Sequence, residues 1–514
     1  MKIGVLILMT LLFSTIVSSQ NDIDAIRYSQ TTFGGTARTK AMAGSFGALG
    51  ADGACMGINP AGIGLYKKGD YNFSFGMIFN ATDATHNGNL NSISKTNLNF
   101  NGLTLVGAWD DKINKDNHHA FGINCSQTAN FNRSVSIEGM SNHKSITKDM
   151  IAASANTSVT NLEPSFAGLG YETYAIDTIN GPVNYYSFVN TKFNTKQSKS
   201  IEESGRINDW NINYAYGYKD KLYLGASIGI ASVNYNYSGL YTEEDNNDSM
   251  RITKNGNTIS DTYDYPVHYY TDGAGGQLFG GFKSLNYKES FKTTGTGYNI
   301  KLGAIYRATD YLRLGASFVS STVYNLTDTY IYSMQTTFDN GISKYSENPN
   351  SPGGTYLYKV YSPMKLTGSI AYLYKKYGAI NIDYDYINYS KASLKESSTS
   401  LTKGVFNGVN TVIRSKYNAT NNLRIGAEIN IKPLCIRVGY ALYGSPFGDK
   451  FSGDFVKTYY TGGIGFRKNK MYLDIAITRS SKNEVYYMYN PNYVDASRLS
   501  NYGTTIGITI GSKF

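Results

Sequence analysis

Apolar and polar residues alternate with a period of two in the last segment of the chain and in a segment near residue 75. In the last segment, "YGTTIGITIGSKF", the even positions from Tyr502 to Phe514 carry the Ile and aromatic residues, and the odd positions carry Gly, Thr and Lys. The segment 71–80, "YNFSFGMIFN", alternates in the same way. A strand with one apolar face and aromatic residues near its ends is typical of a membrane-spanning β-barrel, because lipid contacts one face and the lumen the other.

The polar connections between alternating segments predict the number of strands. Short turns lie at 110–117, 218–221, 307–310, 374–378, 430–433 and 467–470, and longer Asn- and Ser-rich segments lie at 81–97, 132–209, 237–293, 325–363, 389–411, 443–455 and 481–501. Six short periplasmic turns that alternate with seven long outer loops separate fourteen strands. We therefore predict an all-β fold, a 14-stranded antiparallel transmembrane β-barrel with long extracellular loops, over 70–514. A soluble β-sandwich or propeller is the alternative, but its outward face would be polar.

The first residues predict export from the cytoplasm. Lys2 precedes an apolar run that ends at Ser19, which describes a secretory signal peptide over 1–19. A membrane anchor is the alternative, but the run is shorter than the ~20 residues that a spanning helix needs. Residues 20–69 then precede the barrel, and their Gly- and Ala-rich part, "AMAGSFGALGADGACMGINPAGIG" (41–64), is small enough to fold inside a barrel lumen. We predict that 20–69 form a plug, or hatch.

The composition agrees with an all-β fold and excludes two classes of protein. The 514 residues include 46 Tyr, 23 Phe and 53 Gly but only 10 Pro, which favours extended strands. Three Cys are too few for a disulfide framework in a secreted chain of this length. The formal net charge of +10 is spread along the chain, whereas nucleic-acid binding needs a basic patch. We therefore expect no nucleic-acid partner.

The sequence resembles the FadL/TodX family of outer-membrane transporters for hydrophobic compounds. The resemblance lies in the order of a leader, the segment "RYSQTTFGGTARTKAMAGSFGALGADGACMGINPAGIGLY" (27–66), an aromatic first strand, fourteen strands and a terminal Phe, and in the segment 422–448. It implies an N-terminal hatch, an external hydrophobic groove, and a lateral opening in the wall beside a kinked third strand. Carried over, Asn59, Pro60 and Ala61 are the hatch element that faces this opening.

Two irregularities fall on the second and third strands. The apolar phase of 99–106 switches from even to odd positions, which predicts a bulge near Asn101. The resemblance makes 118–131 the third strand, and its apolar face is interrupted at Gln127. This interruption permits a kink.

Two sets of side chains are candidates for ligand contacts. The loop segment 161–176 interleaves apolar residues with Gly, as a groove for an acyl chain would require. The candidate groove residues are Leu162, Phe166, Leu169, Tyr171, Tyr174 and Ile176. By strand parity, the charged residues that face the lumen are Lys301, Arg313, Lys365, Asp383, Asp385, Arg424, Glu428, Arg437 and Asp474. The charged residues of the hatch are Arg27, Arg38, Lys40 and Asp52. We expect these groups to pair and to anchor the hatch; the alternative is an Arg or Lys that holds a ligand carboxylate in passage.

Motifs for enzymatic chemistry are weak. Residues 225–229, "GASIG", match the G-x-S-x-G pattern, but they lie within a predicted strand rather than at a strand–turn–helix elbow. The five His show no metal-binding spacing, and the Gly-rich segment 47–54 lacks the Lys-Ser/Thr of a phosphate loop. We therefore expect neither an enzyme nor a bound metal or other cofactor.

The leading hypothesis is passive uptake of hydrophobic small molecules across the outer membrane of a Gram-negative bacterium. The resemblance implies long-chain fatty acids as ligands and passage through a plugged barrel with a lateral opening. We expect a monomer whose partners are this ligand, outer-membrane lipid and lipopolysaccharide. The alternative is an outer-membrane barrel that acts as a docking component of a protein secretion system. A third hypothesis, an outer-membrane hydrolase, lacks a His-containing constellation.

Overall fold

The chain forms short helices and a single large set of paired strands. The computed structural model describes residues 21–178, 181–250, 254–255, 258–259, 281–339, 341–348, 355–397, 403–447 and 455–514. The signal peptide predicted over 1–19 lies outside these residues.

The helices all lie in the hatch or in the connections of the barrel. The α-helices are α1 (Asp22–Ser29), α2 (Ala37–Ala41), α3 (Cys55–Ile58), α4 (Ile146–Ser154), α5 (Ala167–Glu172) and α6 (Asn407–Lys416), and 3₁₀ turns cover Pro60–Leu65, Val159–Asn161 and Tyr389–Lys391. Among the described residues, no helix is both long enough and apolar enough to cross a membrane.

The strands differ widely in length. They are β1 (Asp70–His86), β2 (Asn89–Asp110), β3 (His118–Asn130), β4 (Arg133–Met140), β5 (Ile176–Thr178), β6 (Tyr185–Ser187), β7 (Lys196–Tyr218), β8 (Leu222–Glu244), β9 (Lys254–Asn255), β10 (Thr258–Ile259), β11 (Phe282–Arg307), β12 (Leu312–Val319), β13 (Val323–Phe338), β14 (Ser343–Asn348), β15 (Thr355–Tyr361), β16 (Lys365–Tyr374), β17 (Gly378–Asn388), β18 (Ser393–Glu396), β19 (Ala419–Ile431), β20 (Leu434–Tyr443), β21 (Lys457–Lys468), β22 (Met471–Tyr486) and β23 (Ser497–Lys513).

The strands close into an antiparallel barrel. Three positions of the wall are each shared by two consecutive strands: β12 and β13, β15 and β16, and β17 and β18. Around the ring the order is β1, β2, β3, β7, β8, β11, β12/β13, β16/β15, β17/β18, β19, β20, β21, β22 and β23. β23 then pairs with β1 from Asp70↔Lys513 to Thr85↔Arg498, which closes the ring. Paired segments such as β12 and β13 occupy one wall position each, so the predicted barrel of fourteen strands is confirmed.

The wall has an apolar outer face and a polar inner face. On β1, the outward residues Tyr71, Phe73 and Phe79 are 53%, 47% and 38% exposed, whereas the alternating Asn72 and Ser74 are buried. In lipid, every backbone N–H and C=O must pair within the protein, and closure of the ring removes the unpaired edges. The alternation along each strand therefore produces a lipid-facing band around a polar lumen.

Several segments predicted to be loops are strands. The predicted loop at 81–97 is wrong, because β1 and β2 continue to a tight turn at Asn87 and Gly88, whose φ angles are 45° and 84°. β7, β8 and β11 likewise extend far into the predicted loops 132–209 and 237–293. The predicted loops 325–363, 389–411 and 481–501 also contain parts of strands or helices. Above the lipid both faces of a strand are polar, so the alternation that marks a lipid-facing strand disappears from the sequence.

The predicted bulge in β2 is confirmed. Ser74 of β1 pairs with Gly102, but the next residue, Phe75, pairs with Phe100. Asn101 is therefore the extra residue, and the inward-facing side of β2 changes parity there.

The hatch, residues 21–69, lies inside the barrel. The backbone N–H of Ala37 donates to Thr509 Oγ1 of β23 at 2.7 Å, and Ser317 Oγ of β12 donates to the carbonyl oxygen of Ile58 at 2.8 Å. β12 and β23 stand on opposite sides of the ring. The hatch therefore spans the lumen from wall to wall.

Candidate functional site

Ion pairs join the hatch to the wall on the side of β19 to β22. Arg437, a fully buried guanidinium of β20, contacts Glu428 Oε2 through Nε at 2.5 Å and Asp474 Oδ1 through Nη1 at 2.7 Å. Arg38 of α2 contacts the same Glu428 carboxylate, with Nε 3.0 Å from Oε2. One carboxylate thus serves two guanidinium groups, one on the wall and one on the hatch.

A second carboxylate holds the hatch through its backbone. Asp383 of β17 accepts hydrogen bonds from the backbone N–H groups of Phe46 at 3.0 Å and Gly47 at 3.1 Å. Arg424 of β19 contacts Asp383 at 3.3 Å and pairs closely with Asp385. Backbone recognition of this kind requires the hatch to sit at a defined height and rotation in the lumen.

The remaining predicted luminal charges have different surroundings. Arg313 Nη1 donates to the carbonyl oxygen of Leu49 at 2.8 Å, and Lys301 Nζ contacts Asp209 Oδ2 at 2.8 Å. The Lys365 ammonium faces the lumen and makes no side-chain hydrogen bond or close ion pair with a described residue, because the nearby Asp385 carboxylate is paired with Arg424. Strand parity does not distinguish paired from unpaired groups.

A luminal cavity of about 110 Å³ lies between the hatch and the wall. Residues 29–34 of the hatch line one side, and Ser126 and Thr128 of β3 border one end. Lys301, Lys365 and Arg424 line the cavity together with the carboxylates of Asp209 and Asp385. The cavity is therefore polar and carries charges of both signs.

The element Asn59-Pro60-Ala61 contacts β7, β8, β11 and β12. Asn59 Nδ2 donates to the carbonyl oxygen of Ala304 at 3.1 Å, and Asn59 Oδ1 accepts from the N–H of Ala61 at 3.1 Å. Asn213 Nδ2 donates to the carbonyl oxygen of Pro60 at 3.3 Å. These contacts lie on wall strands β7, β8, β11 and β12. A role as a gate stays a prediction.

A different part of the hatch contacts the third strand. The backbone N–H of Thr32 donates to the carbonyl oxygen of Thr128 at 2.8 Å. A Cβ atom on Gly34 would lie 2.0 Å from the carbonyl oxygen of Gln127. The sequence signal for this contact is the Gly34-Gly35 pair alone, which is too common to identify a contact without the fold.

The wall is interrupted beside this contact. The β2–β3 ladder stops at Gly102↔Ser126, although β2 continues as far as Asn89. The register of β3 with β7 then shifts between Gln127 and Ala129, and β4 takes over the pairing with β7. Within the described residues, the upper half of β2 therefore has no ladder on its β3 side.

The interruption contains a space that we call the wall slot. Its volume is about 410 Å³, and it is lined by residues 97–99 of β2, by Gln127 and Asn132, by Gly205, Arg206 and Asn208 of β7, and by Ser232 and Asn234 of β8. Asn99 belongs to the buried face of β2, whereas Arg206 and Asn234 belong to the exposed faces of β7 and β8. The upper half of β2 thus overlaps the outside of its neighbours instead of joining them edge to edge.

The candidate groove 161–176 lies in the connection between β4 and β7, here called the cap. Leu169 is 1% exposed and Leu162 is 9% exposed, and the Phe166 ring packs edge-on against Tyr287 with centroids 5.6 Å apart. Ile176 is also buried in this apolar cluster. These side chains form a packed core at the outer end of the barrel, and their role in ligand binding stays a prediction.

The rest of the cap is more polar. Tyr171 packs edge-on against Tyr185 at 6.5 Å, and Tyr174 has a positive φ of 59° with the Lys344 ammonium 5.7 Å from its ring. In α4, burial raises the pKa of the Asp149 carboxyl, although Asn490 Nδ2 donates to it at 3.0 Å. The cap therefore encloses an ionisable group within its own packing.

The residues that match an enzyme motif in the sequence lie within a regular strand. Ser227 is buried within β8, where its hydroxyl donates to the carbonyl oxygen of Ile212 at 3.2 Å. Strand backbone continues on both sides of it, without a turn into a helix. In the described parts of the chain, no group of three or more His, Cys, Asp or Glu side chains is placed to hold a metal ion.

The closed antiparallel barrel with a lipid-facing band and a hatch in its lumen has the fold of the FadL/TodX barrels. The crystal structure of the toluene transporter TodX of Pseudomonas putida aligns with a TM-score of 0.52, over 94% of this chain and 99% of that chain, at 13% identity. A FadL homologue of Pseudomonas aeruginosa aligns with a TM-score of 0.51, over 94% and 98%, at 12% identity. No protein-family model and no curated protein matches the sequence. The resemblance read from the sequence is confirmed at the level of the fold.

Proposed function

We propose that this protein mediates passive uptake of hydrophobic small molecules across the outer membrane of a Gram-negative bacterium, with exit through the side of the barrel. The observation that carries the proposal is the end of the β2–β3 ladder at Gly102↔Ser126, directly beside the hatch. A hydrophobic ligand that leaves through the wall enters lipid and avoids an unfavourable passage into water. We propose that the protein acts as a monomer surrounded by outer-membrane lipid and lipopolysaccharide.

The route that we propose joins the luminal cavity to the wall slot. The cavity reaches Ser126 and Thr128 from the inside, and the slot reaches Gln127 from the outside. The contacts of Thr32 and Gly34 with the third strand lie between the two spaces. A small outward or downward shift of this part of the hatch would connect them.

Lys365 supports long-chain fatty acids as the ligand class. The Lys365 ammonium is half-buried and makes no close ion pair, because the neighbouring Asp385 carboxylate is paired with Arg424. A ligand carboxylate in the luminal cavity would give this ammonium a charge-assisted hydrogen bond. A toluene transporter shares the fold, but a neutral hydrocarbon offers Lys365 no such partner. We therefore propose that the cavity favours acids over neutral hydrocarbons.

Uptake of labelled compounds tests the function. Cells that express the full chain are compared with cells that carry an empty vector, with radiolabelled laurate and toluene as probes. We expect faster laurate uptake, reduced about tenfold by Lys365→Gln, because a charge-assisted hydrogen bond contributes ~1.5–3 kcal/mol. Arg479→Gln, on the outer face of β22, is the matched control and should not change uptake. Laurate uptake equal to that of empty-vector cells would refute the proposal.

A further inference from the structure

The wall slot is lined mainly by carboxamide side chains. Six of them face it: Asn97, Asn99, Gln127, Asn132, Asn208 and Asn234. Arg206 is the charged residue among the described lining residues, which include no carboxylate. Carboxamides are neutral groups that both donate and accept hydrogen bonds, so the slot has the chemistry of a site for an uncharged polar group.

Three of the carboxamides have polar atoms without a partner. Asn97 Oδ1, Asn208 Oδ1 and Gln127 Nε2 are buried and make no hydrogen bond to any described residue. Gln127 is 8% exposed, and its Oε1 already accepts a hydrogen bond from Asn99 Nδ2 at 2.6 Å. Leaving a buried polar atom unpaired is unfavourable. The slot therefore offers a ligand two hydrogen-bond acceptors and one donor.

These orphan atoms distinguish between possible head groups. A carboxylate only accepts hydrogen bonds, so it could satisfy Gln127 Nε2 but not the oxygens of Asn97 and Asn208. A head with two hydroxyl groups, or a primary amide with two N–H donors, donates as well as accepts and could satisfy all three. A hydrocarbon could satisfy none.

The slot lies where the lipid-facing band ends. Along the outer face of β7, Ile212 and Trp210, each 42% exposed, are followed by Asn208 and then Arg206. Leu98 of β2, at the edge of the slot, is 82% exposed. A molecule in the slot would therefore have its polar part among the carboxamides and an apolar chain along Trp210 and Leu98, as an amphiphile at a membrane interface does.

We propose that the wall slot binds the uncharged, hydroxyl- or amide-bearing head of a single-chain acyl amphiphile. Such a molecule could be a resident membrane lipid or a ligand in passage, and the hydrogen-bonding chemistry is the same for both. The proposal concerns a site and a head group, and it holds whether or not the barrel takes up fatty acids.

Binding of two probes with the same chain tests the head group. Monododecanoylglycerol and laurate are titrated, in detergent, into the full-length wild-type protein and into the double variant Asn97→Leu/Asn208→Leu. The affinity that the double variant loses measures binding in the wall slot. We expect monododecanoylglycerol to bind about tenfold more weakly to this double variant, because two hydrogen bonds of ~0.5–1.5 kcal/mol each are lost. The matched control is Asn421→Leu, since Asn421 is an exposed carboxamide directly above the apolar residues of β19. It should bind like the wild type.

Two results would overturn the proposal: unchanged affinity for monododecanoylglycerol in the double variant, or an equal loss of laurate binding. Heat-modified migration on gels shows whether the double variant folds. If it does not, Asn234→Leu on the exposed face of β8 replaces it, with the same expected direction and the same contrary result.

Native mass spectrometry of the purified protein separates the two sources. A neutral single-chain amphiphile that is retained from the membrane identifies a resident lipid. A bare protein that binds added monododecanoylglycerol identifies a ligand in passage, and a protein that does neither contradicts the proposal. Normal slot binding together with absent laurate uptake would refute the proposed function and leave the slot assignment standing.

Discussion

The backbone N–H of Thr32 donates to the carbonyl oxygen of Thr128 at 2.8 Å, at the point where the third strand loses its register with β7. This hydrogen bond joins the hatch to the irregular part of the wall. The irregular part of the wall and the hatch therefore constrain each other, and we expect a substitution in one to change the conformation of the other.

Gly34→Ala should loosen the contact between the hatch and the third strand. The added Cβ would lie 2.0 Å from the carbonyl oxygen of Gln127, and a backbone atom cannot move aside cheaply. We expect a folded barrel with higher ion conductance in planar bilayers. Gly57→Ala is the control, because its Cβ would meet no atom closer than 3.8 Å. Equal conductance of the two variants would show that the Gly34 contact does not hold the barrel closed.

Deletion of residues 21–66 should leave a folded barrel that conducts ions. The backbone hydrogen bonds of the wall close on themselves from β1 to β23 without the hatch, whereas the hatch spans the lumen. Heat-modified migration on gels reports folding, and single-channel recording reports conductance. A deleted barrel that conducts no better than the intact protein would show that the hatch does not occlude the lumen.

Glu428→Ala should destabilise the protein strongly. It leaves the guanidinium groups of Arg38 and Arg437 in the lumen without their shared carboxylate, which typically costs ~3–5 kcal/mol for a buried pair. Asp310→Ala is the control, because Asp310 is an exposed partner of Arg307 and such pairs contribute about 0–1 kcal/mol. Denaturant midpoints followed by Trp fluorescence give the comparison. Similar midpoints would mean that the luminal pairs do not stabilise the assembled barrel.

Phe166 and Leu169 separate ligand binding from packing in the cap. Leu169 is buried, so Leu169→Ala should cost ~2–5 kcal/mol and increase hydrogen exchange over α5. Phe166 is only partly buried, and Phe166→Gln tests the predicted external groove with less damage to the core. We expect weaker laurate binding in Phe166→Gln. Unchanged affinity would place the external site elsewhere.

Asp149→Asn should stabilise the cap at neutral pH. Burial raises the pKa of Asp149, so the folded cap holds the proton more tightly than the unfolded chain does. The carboxyl therefore costs nothing while it is protonated in both states, and destabilises the cap increasingly as the pH rises through its usual value of ~3.9 and above. Hydrogen exchange over α4 should be slower in Asp149→Asn than in the wild type at about pH 7 and equal at about pH 3. Faster exchange at neutral pH would contradict this sign.

The sequence predicted the part of the fold that contacts lipid. Tyr71 to Phe79 and the Ile residues of β23 alternate because lipid requires an apolar face, and that requirement is visible in one strand at a time. The same argument placed Glu428 and Asp383 on the inner face. It failed for 81–97, because the upper part of the β1–β2 hairpin has no lipid-facing side.

The candidate site was harder to predict because it depends on contacts between distant segments. The residues that flank Leu169 in the sequence are equally consistent with a ligand groove and with a packed core, so the burial of its side chain could not be deduced. Thr32 and Thr128 are joined by a backbone hydrogen bond, which does not depend on the type of either side chain and so cannot be predicted from the sequence. Lys365 makes no close ion pair because Asp385 pairs with Arg424 instead, and that choice of partner cannot be deduced from strand parity.

The seam between β1 and β23 determines when the hatch becomes enclosed. Because the first and last strands of the wall are hydrogen-bonded partners, the ring cannot close until β23 has been delivered. The hatch precedes β1 in the chain, so it is exported before the strand that completes the wall. Enclosure is thus a matter of timing during biogenesis: the segment that fills the lumen is present before the last strand arrives to surround it.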